Sequence, residues 1–184
     1  GSALWKSTDG GATWTEIKGN GFPETTKGRI SLAIAASRPD VVYAMVEADS
    51  VRGERPQRLR SGLYRSEDAG RTWRWMNTTN ARPFYFSQIR VDPTNHDRVY
   101  RMAVDFNVSE DGGRSWRMGM MGIHEDYHAM WIDPRDPAHF IVAGDAGIFQ
   151  TWDRGGTYDA ACADCHSDAA SAYDTADAAS KAAF

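Results

Sequence analysis

Cysteine is almost missing: of 184 residues only Cys162 and Cys165 are cysteines, both near the end of the chain. That excludes a disulfide framework as the source of stability, so the fold must rest on its own core, which a chain of this length can build. Long apolar runs are missing too. None approaches the roughly 20 residues that cross a bilayer as a helix, so the chain is not expected to span a membrane. No basic-then-apolar leader opens it, and any export peptide is expected to have been removed or never included. Nor is there an excess of basic charge. Twenty-one Lys and Arg stand against 25 Asp and Glu, which argues against nucleic acid or anionic lipid as a general partner. Tryptophan, tyrosine and glycine are plentiful, a composition suited to many short strands joined by tight turns.

The chain repeats itself. Ser7-Thr8-Asp9-Gly10-Gly11-Ala12-Thr13-Trp14 returns as Ser66-Glu67-Asp68-Ala69-Gly70-Arg71-Thr72-Trp73, as Ser109-Glu110-Asp111-Gly112-Gly113-Arg114-Ser115-Trp116, and in weaker form as Thr151-Trp152-Asp153-Arg154-Gly155-Gly156-Thr157-Tyr158. The last three copies are spaced by about 40–45 residues, the length of a four-stranded propeller blade. The first interval is longer by an insertion of roughly 16 residues. Between the copies runs a second pattern, an apolar strand, a Pro-containing turn and another apolar strand. It is seen at 30–36 and 41–46 around Pro39, at 87–91 and 99–104 around Pro93, and at 129–132 and 140–143 around Pro134. Segments such as Val41 to Val46 are apolar on both faces, which fits strands sandwiched between neighbouring blades and leaves the repeated turn on the outer hairpin of each.

The turn residues carry a structural chemistry. A short carboxylate at Asp9, Asp68, Asp111 or Asp153 can accept backbone N–H bonds inside the turn, while a glycine such as Gly70 takes a φ that other residues resist. Thr72 is expected to start the outgoing strand and Trp73 to fill the gap toward the next blade. Four equivalent aspartates cannot all line one catalytic site, so their role is read as fastening turns.

With these repeats the chain resembles the Asp-box propellers, or bacterial neuraminidase repeats, and among them the sortilin-type, glycosyl-hydrolase-like bacterial group. The resemblance covers residues 3 to about 159. It includes His124-Glu125-Asp126-Tyr127-His128-Ala129-Met130-Trp131-Ile132-Asp133-Pro134, which is similar to a His-x-Asp-x-His, Leu-Trp-Ile-Asp-Pro stretch of that group. The fold class expected is all-β: a partial β-propeller of about three four-stranded blades over residues 3–159, plus one outer hairpin from Leu4 to Ile17. The resemblance implies a ring of six or more blades, which this chain cannot close alone. Further blades or a protein partner are therefore expected on its open edges.

Candidate chemistry is sparser. Sialidases of the resembled superfamily use an arginine cluster, a tyrosine with a glutamate partner and an acid, and other glycosidases need two facing carboxylates. Glu125, Asp126 and Tyr127 lie together, but no arginine triad can be placed on facing blades. His124, Asp126 and His128 alternate, so on an extended segment they would share a side and could ligate a divalent metal; a solvated loop entering a strand explains them equally. The insertion holds Arg52, Arg55, Arg58 and Arg60 with Glu54, and reads either as a dock for an acidic partner or as a solvated loop. The aromatics of Asn80 to Phe86 are expected to pack between blades.

Residues 160–184 are rich in Ala, Asp and Ser, without strand periodicity, and are expected to be helical or disordered. They contain Cys162-Ala163-Asp164-Cys165-His166, the Cys-x-x-Cys-His attachment pattern of c-type haem. Cys162 and Cys165 would form the thioethers and His166 would supply an axial nitrogen. No methionine follows to serve as the second ligand, and a reversible disulfide is the alternative. Haem and propeller repeats both point to the periplasm or the extracellular space. The function expected is a non-catalytic, exported binding or scaffolding module in a larger assembly. The alternatives are a glycoside-hydrolase-related fragment and an electron-transfer subunit.

Overall fold

The computed structural model describes residues 1–48, 61–80, 82–84 and 88–162. Among them there are only strands, turns and irregular connections, in line with the all-β expectation. Three antiparallel sheets each hold four strands in chain order. The first contains β3 (Lys27–Ile34), β4 (Val42–Ala48), β5 (Gly62–Ser66) and β6 (Arg74–Asn77), numbered after the opening pair β1 (Trp5–Lys6) and β2 (Thr15–Glu16). The second contains β7 (Gln88–Val91), β8 (Val99–Met102), β9 (Phe106–Ser109) and β10 (Arg117–Met118). The third contains β11 (Tyr127–Ile132), β12 (Phe140–Gly144), β13 (Gly147–Thr151) and β14 (Asp159–Cys162). These are the three blades, and the chain is a partial β-propeller.

The pair β1–β2 is half a blade. Its connecting turn is the same repeat that joins β5 to β6, β9 to β10 and β13 to β14, so β1 and β2 hold the third and fourth strand positions of a blade. The fourth strand of the last blade runs through Cys162, beyond the expected end of the strand pattern near residue 159, because its backbone pairs with β13 from Gln150 to Ile148. The insertion at 51–60 and most of the 160–184 tail lie outside the described residues.

Blades pack face to face, and each contact has its own core. Leu4 and Phe22 from the hairpin side meet Ala44, Val46, Tyr64 and Trp73. Tyr43, Met45 and Leu63 of the first blade meet Ile89 and Val99 of the second. Tyr100, Met102, Phe106 and Val108 of the second meet Met130, Phe140, Val142 and Phe149 of the third. The alternation of a strand explains this division: along β4, Tyr43 and Met45 point to the following blade while Ala44 and Val46 point to the preceding one. Phe106 is the hub of the last contact, with ring centroids 5.9 Å from Tyr100, 5.6 Å from Tyr127 and 5.9 Å from Phe140.

Two expectations need correction. Trp73 fills the gap toward the preceding hairpin, not toward the next blade: its ring lies 5.2 Å from Phe22 and its amide donates to the Asn20 carbonyl, because the turn folds its indole back across its own blade edge. Phe84, expected between blades, is exposed, since its turn lies outside the strands that meet there.

Replacing Phe106 by Ala is expected to destabilise the chain by about 3–5 kcal/mol, the cost of a large buried aromatic. The exposed Phe84→Ala change should stay within about 0.5 kcal/mol. Urea denaturation of the two variants checks both; equal midpoints would refute the assignment of the core.

Candidate functional site

The four repeated turns share one hydrogen-bond pattern. In the first blade Ser66 Oγ donates to Asp68 Oδ1 at 2.8 Å and accepts from the Gly70 amide at 2.8 Å. The Thr72 amide donates to Asp68 Oδ1 at 2.8 Å and the Thr72 hydroxyl to Oδ2 at 2.7 Å. Asp9, Asp111 and Asp153 repeat it with Ser7 and Thr13, Ser109 and Ser115, Thr151 and Thr157. Each turn places two successive residues at positive φ, the second always glycine: Ala69 and Gly70 at 58° and 86°, Gly112 and Gly113 at 72° and 88°. At Gly113 the glycine is required by space as well as by φ, because a Cβ there would run into Leu63 of the preceding blade. The carboxylates therefore fasten turns.

Their ionisation follows from the same bonds. The Thr72 hydroxyl, then its amide, hold Asp68 well below the ordinary carboxylate range, and the Thr13 hydroxyl and amide do the same for Asp9. Burial opposes ionisation of Asp111, but the Ser115 hydroxyl and amide, Ser109 and the Arg114 amide outweigh it and bring the group down to about 2.

The histidine segment is arranged differently from its sequence pattern. Asp126 has φ of 76°, so the segment is not extended and the alternation does not put three side chains on one side. His124 Nδ1 lies 2.9 Å from the neighbouring Glu125 carbonyl, and His128 Nε2 lies 2.8 Å from Asp145 Oδ1. Asp126 joins through its backbone, donating to the Val104 carbonyl and accepting from the Asp145 amide. Among the described residues no group of three or more His, Cys, Asp or Glu side chains is placed to hold a metal ion. Cys162 ends β14, an edge strand, with its backbone opposite Ile148; Cys165 and His166 lie outside the described residues.

Among the described residues, grooves open at two places. One of about 530 Å³ runs between the hairpin and the turn of the first blade, lined by Lys6, Thr13, Glu16, Lys18, Asn20 and Arg71 among others. The other, about 200 Å³, brings Asp105 and Glu125 together with Met118, Met121 and Tyr127. It is smaller than the roughly 300–1,000 Å³ of ordinary small-molecule sites.

The larger unexplained surface is a blade face. Strand registers give equivalent positions in each blade: Ala33 opposite Tyr43, Arg90 opposite Tyr100 and Trp131 opposite Ile141; then Met45 opposite Leu63, Met102 opposite Phe106 and Ala143 opposite Ile148. In the first two blades these positions bury Tyr43, Met45, Leu63, Tyr100, Met102 and Phe106 completely or nearly so against the next blade. In the third blade they are Trp131, Ile141, Ala143 and Ile148, and Trp131 and Ile148 are exposed. His139 continues the face, stacked on the exposed Trp152 at 5.0 Å and edge-on to Trp131 at 5.7 Å. At the Trp152 position the other blades carry Glu67 and Glu110, each ion-paired to arginines. The charge pattern of the sequence gives no sign of this face, whereas the strands aligned around the four turns mark it.

No family model matches the chain, and no curated protein matches it. Solved structures do. A GH74 enzyme from Niastella koreensis superposes with a TM-score of 0.56 at 16% identity, over 71% of this chain and 22% of that one. An ancestral GH74 enzyme gives 0.57 at 13%, over 85% and 21%. YCF48 bound to D1 peptide gives 0.52 at 11%, over 80% and 44%. The likeness is one of propeller fold, and the chain spans about a fifth of the GH74 chains and less than half of YCF48.

Because Asp111 titrates lower in the folded chain than the roughly 4 of an unfolded aspartate, its contribution to stability is full above that value and is lost as pH falls toward 2. Asp111→Asn should flatten the acid limb of a stability-versus-pH curve in that window, measured by urea midpoints. An unchanged slope would refute the fastening role of the carboxylate.

Proposed function

We propose that this chain is a non-catalytic, exported propeller module of the Asp-box type that binds or scaffolds protein within a larger assembly. The observation that carries the reading is the open face of the third blade, where Trp131, Ile141, Ile148 and Trp152 occupy positions that the other blades bury or pair. A broad apolar sheet face suits a protein surface, which can match its shape and cover it in one piece. YCF48, of similar fold, is bound to a peptide. The mild acidity argues against nucleic acid, and no helix among the described residues is long and apolar enough to cross a membrane. Periplasm or extracellular space is the proposed location. Glycoside hydrolysis is the weaker reading, because the groove that joins Asp105 to Glu125 has only about 200 Å³ and the GH74 likeness extends to fold alone. The sortilin-type assignment and a metal at His124, Asp126 and His128 are further proposals; the latter needs His128 to leave Asp145.

The haem belongs to the same proposal. Cys162 ends β14, the last described strand of its sheet, and the rest of the motif follows it directly in the chain. Cys162 and Cys165 would hold it covalently and His166 would ligate its iron, supplying one-electron chemistry.

Three measurements test these readings. A Trp131→Glu, Ile148→Glu variant should keep its fold by circular dichroism and lose the protein that the unaltered chain cross-links in the exported fraction; equal cross-linking by both sinks the binding role. Chromogenic glycosides should be left intact by the purified chain. Protein from its native source should show a Soret band and a covalent haem mass after acid denaturation, and colourless protein of unmodified mass would end the haem proposal.

A further inference from the structure

The second blade departs from its neighbours at one place in its interior. Counted from the first residue of the turn, the strand registers make three sets of side chains equivalent: Ala44 opposite Tyr64 with Trp73, Arg101 opposite Asn107 with Trp116, and Val142 opposite Phe149 with Tyr158. In the first blade the set packs on Phe22, whose ring lies 5.8 Å from Tyr64 and 5.2 Å from Trp73. In the third it joins the apolar core, with the Phe149 and Tyr158 rings 5.8 Å apart. In the second it is built of donors. Arg101, only 7% exposed, follows Val99 on the face that meets the first blade, and its guanidinium lies 6.0 Å from the Trp116 ring. Arg101 Nε, Asn107 Nδ2 and Trp116 Nε1 are all enclosed, and among the described residues none of the three has a hydrogen-bond partner. The indole has left its usual bond: Trp14 and Trp73 donate to the carbonyls of Gly11 and Gly70 at 3.1 Å, whereas Trp116 donates to neither a turn carbonyl nor any other described group.

Three unused donors in one enclosed place call for an acceptor, because a buried donor without one is costly. The guanidinium narrows the choice. Its Nη1 donates to the Thr79 hydroxyl, a neutral group, and among the described residues no carboxylate is ion-paired with it. Arg65, equally buried, is paired with Asp97 and Glu67. Burial lowers the pKa of Arg101 from the ordinary arginine value, and Asp105 opposes this only in part. A water molecule would accept from some of the donors and leave the enclosed positive charge unbalanced, whereas an anion meets both needs. We propose that Arg101, Asn107 and Trp116 form a binding site for a small monovalent anion, chloride or a carboxylate the size of formate or acetate, enclosed between the first and second blades. The limit on size follows from the enclosure of all three nitrogens. The bound anion ties β8, β9 and the turn aromatic together, and Arg101 carries that tie to Thr79 in the connection from the first blade. The fit of those two blades then depends on the anions around the chain. The site stands apart from the face of the third blade and does not depend on the protein-binding reading.

Thermal unfolding of the full chain at fixed ionic strength tests the site. The protein is dialysed into sodium gluconate, whose anion is too bulky to be enclosed, and the gluconate is exchanged stepwise for chloride or for formate. The melting midpoint of the unaltered chain should rise by about 5–10 °C once the anion stands at about a hundred times its dissociation constant. A rise with both salts shows a site that selects charge and size; a rise with formate alone assigns it to carboxylates, and with chloride alone to halides. Trp116→Phe keeps a ring and removes one donor, so the same rise should require about ten times more anion. Arg101→Met removes the charge and should abolish the rise. Circular dichroism in gluconate shows which variants are folded, and Trp116→Phe decides by itself where Arg101→Met does not fold. An unaltered chain with one midpoint in gluconate, chloride and formate overturns the proposal and leaves enclosed water as the acceptor. A rise that Trp116→Phe or a folded Arg101→Met retains at the same anion concentrations overturns it as well.

Discussion

The aspartate in each outer turn is the constraint on which the rest depends. One carboxylate ties together a hydroxyl two residues before it and both the amide and the hydroxyl of a residue four after it, as Asp68 does with Ser66 and Thr72. Fixing those three points fixes the direction in which the fourth strand leaves, and with it the place of the adjoining indole. The indole then closes the contact with the preceding blade. A charged side chain at the surface thereby governs the packing of an apolar interior it does not touch, which is why its bonds are with turn groups and not with a ligand.

Blades fastened in this way divide the core into separate layers. The three clusters lie between successive sheets and are shared by neighbours only. Stability in such an arrangement is close to a sum of nearest-neighbour contacts, as in other repeating architectures. The buried polar groups obey the same locality: Arg65 reaches Asp97 of the next blade and Glu67 of its own, and Arg98 joins buried Asp92 to Glu110.

Much of this was legible in the sequence, since the turns announce themselves by residue type and the strands between them by apolar runs. Blade number, strand order and the fastening role of the aspartates all came from those two patterns. The direction of Trp73 did not, because a strand residue's face depends on how the turn folds back, and the sequence shows spacing without rotation. The spacing of His124, Asp126 and His128 did not reveal the bend at Asp126 for a related reason: alternation implies a common side only in extended backbone, and Asp126 departs from it. The face around Trp131 and Trp152 escaped notice because apolar residues in a strand read as core wherever they stand; only the register shows that no described residue covers them.

The backward reach of each turn has one more consequence. Gly113 is pressed against Leu63, and Gly155 against Met120, so the second and third blades are each fitted at the turn to the blade before them. A duplicated segment arriving at the trailing end would meet a surface already shaped for it, and earlier blades would be undisturbed. Chain length in this architecture is thus an open variable for gene duplication, altered one module at a time without renegotiating the interior.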